Sequence, residues 1–477
     1  MKKLLSISLL LLCLSCTKPE LPVELWLTDP AAGVLLQKQP IPSLSDEENL
    51  PEILIDQETN YQEIDGFGFT LSQGSAVHLL QMTETARKNL LNELFGKGEG
   101  QIGISYLRLS VAASDLNETP FSYNDLIDTL AIGSADTLAT PQIDTSATDI
   151  ELLKFDLGPD RNDVIPILKE ILAINPDIKF MASPWSPPSW MKDNKDTRGG
   201  SLLPEFEDAY ARYLVKYIQE MEKEGIKIDA LTIQNEPLHP GNNPSLLMLP
   251  EQQARFIGVN LGPAFRDAEI KTKIIVYDHN ADRPDYPIAV LNDSLANPFI
   301  DGSAFHLYGG EIEALMEVHQ AHPDKNIYFT EQWIGAPGNL AGDLPWHIKN
   351  LVIGASRNWA KTVLEWNLTS NPTLTPHTDR GGCDRCLGAV TIDGDSVVRN
   401  PAYYIIAHAS KFVTPNSLRI DSNLPEGLPN VAFLRPDGKK VLIVLNDSDA
   451  EKTFTVKEKE NGFTGILNPG AVGTWVW

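Results

Sequence analysis

Two glutamates stand where paired carboxyl chemistry would need them. Glu236 lies near the end of Ile228-Asp229-Ala230-Leu231-Thr232-Ile233-Gln234-Asn235-Glu236-Pro237, an apolar, β-branched run that closes in polar residues and a proline. Such a run reads as a parallel strand covered on both faces, and Pro237 cannot donate to a ladder, so pairing stops there. Glu331 ends a second stretch of the same design, Asn326-Ile327-Tyr328-Phe329-Thr330-Glu331-Gln332-Trp333. In a chain with 64 acidic residues a lone glutamate is ordinarily a solvated surface group. Both of these follow hydrophobic strand runs, where a charge at the rim is costly unless it has a task. Cleaving a glycosidic bond needs a proton for the leaving oxygen and electrons for the anomeric carbon, so two carboxyl groups are the minimum apparatus. Glu236 is expected as acid/base and Glu331 as nucleophile, with Asn235 placed to hydrogen-bond a sugar 2-hydroxyl.

To face each other, the two must end strands of one barrel. Residues 104–111, 179–183, 273–277, 302–308 and 362–366 read as further strands, and 164–174 and 208–224 as helices, the second stopping at Gly225. Asp65-Gly66-Phe67-Gly68-Phe69-Thr70 reads as the strand that opens the barrel. Its Gly-x-Gly lacks the third glycine of a phosphate loop and is expected to admit close backbone approach. The alternation implies an α/β fold, a (β/α)8 TIM barrel over residues 65–406 with its catalytic side chains at the C-terminal mouth. From about Ala407, short strands separated by Pro-Asp-Gly, Asn-Asp and Asn-Gly turns mark an all-β domain over 407–477. The alternating segment 51–64 has no partner nearby, so it is expected to complete that β-sandwich.

At 477 residues the chain suits a barrel of about 250 residues or more with an appended domain. A formal charge of −25 argues against a nucleic-acid partner, which needs clustered Lys and Arg, and is compatible with a neutral substrate. Met1-Lys2-Lys3 and the apolar residues 4–14 form a targeting segment too short to span a bilayer. It ends in Leu14-Ser15-Cys16-Thr17, which resembles a bacterial lipoprotein signal over residues 1–16 with Cys16 acylated. Cys13 stands where leucine is usual, and a plain secretory signal is the alternative. Both readings export the protein; the first anchors it by lipid in the outer membrane of a Gram-negative bacterium. Residues 17–50, Pro-rich and polar, read as a linker. The remaining cysteines, Cys383 and Cys386, read as a disulfide-closed loop outside the cytoplasm. Half of a zinc site is the other use of that spacing, but no second pair exists and only His377 lies near. No metal and no cofactor are expected.

Asn235-Glu236-Pro237, the run from Ala182 through Pro184-Trp185-Ser186-Pro187-Pro188 to Lys192, Phe305-His306-Leu307-Tyr308, Thr330-Glu331 and Glu365-Trp366-Asn367-Leu368 together resemble the motifs of the glucocerebrosidase-like glycoside hydrolases, family 30. The likeness covers nearly everything after residue 50. It implies a retaining mechanism with carboxyl groups about 5 Å apart and a β-sandwich beside the barrel. By the same resemblance Asp115 and Trp185 hold the nonreducing glucose, the indole by stacking, and Trp366 lies beneath that sugar. Tyr308 hydrogen-bonds the nucleophile, Arg108 keeps it ionised, and His306 and Asn280 sit at the rim. Gln332-Trp333 departs from the small residues common in glucosylceramide enzymes. The loop Gly381-Gly382-Cys383-Asp384-Arg385-Cys386-Leu387-Gly388 is more like the branch that attacks β-1,6-glucan. The expected activity is therefore a monomeric retaining hydrolase of β-1,6-glucan. A glucosylceramidase or exo-acting β-glucosidase is the alternative, and a carbohydrate-binding lipoprotein without turnover the remote one.

Overall fold

Hydrophobic alternation in the first described segment starts the side domain before the barrel begins. The computed structural model describes residues 22–43, 49–126, 147–459 and 461–477; Cys16 and the targeting segment lie outside them. Strands β1 (Glu24–Asp29) and β2 (Val34–Gln39) form a hairpin turned at Gly33, and β3 (Glu52–Glu63) follows. The barrel strands are β4 (Gly66–Leu71), β5 (Tyr106–Val111), β6 (Lys179–Pro184), β7 (Ala230–Thr232), β8 (Lys273–Ala281), β9 (Ile300–Gly310), β10 (Asn326–Glu331) and, after a two-residue β11 (Ile334–Gly335), β12 (Ala360–Asn367). They close in the order β10-β12-β4-β5-β6-β7-β8-β9, all parallel. Four short strands follow, β13 (Thr369–Ser370), β14 (Cys386–Leu387), β15 (Val390–Asp393) and β16 (Ser396–Arg399). The side domain resumes with β17 (Leu418–Ser422), β18 (Asn430–Leu434), β19 (Lys440–Leu445), β20 (Lys452–Glu458), β21 (Asn461–Leu467) and β22 (Val472–Val476).

The barrel interior is layered. Tyr106, Met181, Ala230, Ile275, Ala304, Tyr328 and Leu364 form one closed apolar cluster, drawn from seven different staves. Side chains two positions on along a strand share its face, so the next layer towards the C-terminal mouth holds Arg108, Ser183, Thr232, His306, Thr330 and Trp366. A polar floor thus lies directly on an apolar plug. At the seam between the first two staves, a Cβ on Gly68 would lie 1.9 Å from the Tyr106 carbonyl oxygen, the close approach expected of that glycine. Outside, the helix Glu207–Lys223 turns Tyr210, Tyr213 and Tyr217 inward, at helical spacing, and the chain breaks at Gly225 with φ 83.

The side domain has the strand order β2-β1-β22-β19-β18-β17-β3-β20-β21. Long β3 serves both ends of it: Glu52, Ile53 and Leu54 pair with β20, and Ile55 to Glu63 with β17. Ala432, Leu442, Val444 and Trp475 join the side domain's own core, while Val431, Phe433, Val441 and Ile443 join the barrel's core cluster. Both faces of these strands are therefore buried, which is why β19 is apolar from Val441 to Leu445.

Three expectations change. Within the span expected as a linker, residues 22–43 are folded: β1 pairs with β22, Leu25 is buried, and Thr28 accepts or donates at 2.8 Å to His408 of the helix Pro401–Ser410. Pro-rich composition on either side conceals a short alternating strand. The boundary at 407 cuts that same helix, which packs on the barrel; the C-terminal part of the sandwich begins at Leu418. Finally, Asn461-Gly462 opens strand β21 rather than serving only as a turn. If residues 22–43 are structural, a chain starting at residue 49 loses more than about 2 kcal/mol, because burying one leucine contributes about 1.5–3 kcal/mol. The check is the urea midpoint of unfolding; equal midpoints for both chains would restore the linker.

Candidate active site

Above the polar floor, backbone irregularities aim the functional side chains. In β8, Tyr277 pairs with Ala304 and His279 with Phe305, leaving Asp278 as an extra residue. Tyr277 and Asp278 both take the left-handed region, φ 71 and 70. In the same way Thr330 is the extra residue of β10 against β9, and Trp366 that of β12 against β4. Such bulges re-aim side chains, and they cluster at barrel rims and functional sites. Glu236 lies beyond the short strand β7, with φ 47, and its N–H donates to the Asp278 carbonyl at 2.9 Å. A non-glycine residue held there stores strain that the surrounding structure must impose.

Asp278 is the hub. Its Oδ2 accepts from Arg108 Nη2 at 2.8 Å and is within 2.7 Å of Thr232 Oγ1 and 3.1 Å of Ser183 Oγ. Its Oδ1 meets His306 Nε2 at 3.1 Å and Thr330 Oγ1 at 2.7 Å. Burial alone would raise this carboxyl, but Arg108 and His306 hold it well below the ordinary range. Arg108, wholly buried, also donates to Ser183 Oγ, to Asn235 Oδ1 at 2.6 Å and to Glu331 Oε2. Tyr308 donates its hydroxyl to the other oxygen of Glu331 at 2.9 Å. His306 Nδ1 lies 3.2 Å from Glu236 Oε1, and Asn242 donates to Glu236 Oε2 at 3.3 Å.

Glu236, Glu331 and His306 each present an atom within 4.8 Å of the others, and the glutamates are 8% and 6% exposed. Among the described residues this trio alone could share a cation, but both His306 nitrogens are committed to carboxylates and Arg108 already neutralises the cluster. The donor set suits proton chemistry. Burial opposes ionisation of both glutamates. At Glu236 the His306 hydrogen bond and charge outweigh burial and lower the carboxyl; at Glu331 burial and the charges of Glu236 and Asp278 prevail over His306 and Arg108 and raise it. His306 rises to about 9, its burial overcome by Glu331, Asp278 and Glu236. One proton is thus shared across the cluster. Its place follows from the donors: both oxygens of Glu331 already accept, from a guanidinium and a phenol, so the ionised form is the satisfied one. The mobile proton belongs to the hydrogen bond between Glu236 and His306.

These groups floor a cleft of about 390 Å³, also lined by Asp115, His239, Asn242, His279, Asn280, Trp333, Trp366 and Cys386. Asp115 is pushed up to about 7 by burial and by the two glutamates, and its carboxyl has no hydrogen-bond partner among the described side chains. Asn280 Oδ1 accepts the Tyr308 N–H at 3.0 Å and so sets that residue's backbone. The Cys383–Cys386 disulfide forms, and β14 pairs with β11 just after Glu331, which brings Cys386 to the cleft wall.

Two expected roles change. His306 is not at the rim but buried beneath both glutamates. Trp185 offers no stacking face: it is buried, its ring 5.4 Å from that of Trp366 and 4.9 Å from the Arg108 guanidinium. Its Nε1 has no partner, so hydrogen bonding is what remains to it. Of these two tryptophans, Trp366 is the one that lines the cleft. Nothing in the sequence marks Asp278 beyond its place after a strand, and His239, Asn242 and Trp333 show only as neighbours of the glutamates.

The chain matches the family model "Glycosyl hydrolase family 30 TIM-barrel domain" over residues 64–413 and the family's beta sandwich domain over residues 416–475. It is 32% identical over 435 residues to an endo-1,6-β-D-glucanase of Neurospora crassa, covering 87% of this chain and 85% of that protein. Identity to the lysosomal acid glucosylceramidase of Mus musculus is 28% over 457 residues, 89% of this chain and 83% of that one. A solved endo-β1,6-glucanase superposes with a TM-score of 0.86 at 33% identity, covering 95% of this chain and 99% of its own.

Because His306 is raised from 6.5 to about 9, the stability it contributes is complete below pH 6.5 and is lost as pH rises through about 9. Unfolding free energy from urea titrations should fall across that window. Asp278→Asn, which removes a partner of the ring, should lower stability at pH 6.5 by about 3–5 kcal/mol and flatten the fall. Parallel pH profiles for the two proteins would remove His306 as its source.

Proposed function

The chain belongs to glycoside hydrolase family 30, and from that premise we propose that it cleaves β-1,6-linked glucan with retention, by double displacement on Glu331. The observation that carries the mechanism is the approach of the two carboxyl groups, within 4.8 Å at the barrel mouth. Retaining enzymes keep their carboxyls about 5–5.5 Å apart; inverting ones leave about 6.5–9.5 Å for a water.

In the first step Glu331 attacks the anomeric carbon while the Glu236–His306 couple releases its proton through Glu236 to the leaving oxygen. Arg108 and Tyr308, one on each oxygen of Glu331, aim the attacking lone pair and favour its ionised form. In the second step Glu236 takes a proton from water, which cleaves the glycosyl ester. Asn235 has its Oδ1 fixed by Arg108, which leaves its amide N–H2 for the sugar 2-hydroxyl. Asp115 and Trp366 supply an acceptor and an aromatic face to the nonreducing sugar, whose hydroxyls favour one and whose C–H face favours the other.

The β-1,6 linkage is supported by the relatives named endo-1,6-β-glucanase and by Trp333 and Cys386, which line the cleft together with Glu331. Cys16 is proposed as a lipid anchor that holds a monomeric enzyme in the outer membrane of a Gram-negative bacterium. Among the described residues no helix is long and apolar enough to cross a membrane.

Glu331→Gln should abolish turnover of β-1,6-glucan, and Glu236→Gln should slow it by about 10²–10⁴-fold, the usual span of general acid–base catalysis. Azide added to an alanine variant of Glu236 should yield a β-glucosyl azide. An α-azide, or full activity in either variant, would remove the assignment. Product analysis over time decides the substrate: oligosaccharide ladders from β-1,6-glucan are expected, and release only from laminarin, xylan or glucosylceramide would reject the linkage.

A further inference from the structure

One polar ring on the cleft wall takes no part in the steps above. His279 lines the cleft, its Nδ1 is sealed from solvent without a partner, and no described group bonds to its Nε2. Buried polar atoms are almost always paired; the sealed Nδ1 is out of a ligand's reach, so Nε2, the ring nitrogen with no bond to a described group, is the atom a ligand in the cleft can engage. The β8 bulge puts it there. With Asp278 turned into the floor as the extra residue, His279 resumes register opposite Phe305 and faces the cleft.

The tautomer follows from the surroundings. Nδ1 has no acceptor, so the proton of the neutral ring sits on Nε2, the nitrogen left to the cleft. Burial also keeps the ring neutral, lowering it from 6.5 to about 4 against the charges of Glu236 and Asp282 and together with His306 and His239. A neutral N–H donor suits a sugar hydroxyl, and it adds no second positive charge beside Glu236.

Location assigns the sugar. The acid must touch the leaving oxygen, so the leaving glucose lies against Glu236, whose backbone N–H is held by the residue preceding His279. His239 and Asn242 line the same wall, whereas Asp115 and Trp366 belong to the nonreducing side.

We propose that His279 is a specificity-determining residue of the leaving-group side, donating Nε2–H to a hydroxyl of the glucose that departs; this rests on the reading of the cleft as a β-1,6-glucanase site. Two substrates with the same nonreducing part separate the roles: the β-1,6-linked glucose trimer, which departs as a sugar, and the 4-nitrophenyl glycoside of the dimer, which does not. The readout is the ratio of kcat/KM on the trimer to kcat/KM on the nitrophenyl glycoside, which is independent of how much variant protein is folded. His279→Ala should lower that ratio by about tenfold, the worth of one hydrogen bond to a hydroxyl. His279→Gln, whose amide can donate, should recover part of it. A ratio within about twofold of the unmodified enzyme in His279→Ala, less than one weak hydrogen bond, overturns the proposal, whatever the separate rates do. If the unmodified enzyme cleaves neither substrate, the β-1,6 reading itself falls.

Discussion

Three carboxylates lie buried together at the floor of the barrel mouth, and the fold must supply the cations that make this tolerable. Among the described residues, the ion pairs of Asp278, Glu236 and Glu331 are made with two groups, the Arg108 guanidinium and the His306 ring, both fully buried. Isolated buried charge is very unfavourable, and breaking one partner of a buried pair leaves the other uncompensated. The site is therefore one electrostatic unit. Asp278 takes no part in bond making, yet it fixes Arg108 beneath Glu331 and His306 beneath Glu236, and so sets the geometry of both.

The barrel supplies that unit by a simple rule and then departs from it. Period-two alternation carries the apolar layer of Tyr106, Met181, Ala230, Ile275, Ala304, Tyr328 and Leu364 directly into the polar layer two residues on. A regular barrel would end there. Extra residues at Asp278, Thr330 and Trp366 break the alternation at the level where chemistry begins. Thr330 keeps its inward place and bonds Asp278, and because it is the extra residue against β9 the next residue, Glu331, enters the cleft as well.

That departure is also what limits reading the site from sequence. Glu236 and Glu331 are legible because each follows an apolar strand run, Tyr308 and Trp366 because they stand in recognisable motifs, and Arg108 and Asp115 because the family resemblance gives those positions a role. All six lie in or beside the cleft. The hub is not legible: alternation along residues 273–277 makes Asp278 merely the first polar residue after a strand, and only the three-dimensional bulge makes it central. Trp185 illustrates the opposite error, since a tryptophan in a site motif suggests a stacking face, while packing against Trp366 and Arg108 consumes that face. In the side domain, continuous apolarity in β19 reports burial on two sides, but β1 is too short and too closely flanked by prolines for its alternation to stand out.

On the proposed assignment of roles, the same charge arrangement lets one glutamate, Glu236, serve as acid and then as base. Before attack, the negative charge of Glu331 raises His306 and opposes ionisation of Glu236, so the couple retains its proton. Ester formation removes that charge while Asp278 keeps Arg108 and the ring in place. With one anion fewer nearby, both His306 and Glu236 bind a proton less tightly. The proton has by then gone to the leaving oxygen, and Glu236 is left as a carboxylate able to activate water. Hydrolysis restores the Glu331 charge and with it the affinity for the proton just taken from that water. The cycle needs no movement of the backbone, only a floor rigid enough to hold three carboxylates at fixed distances while the number of charges among them changes.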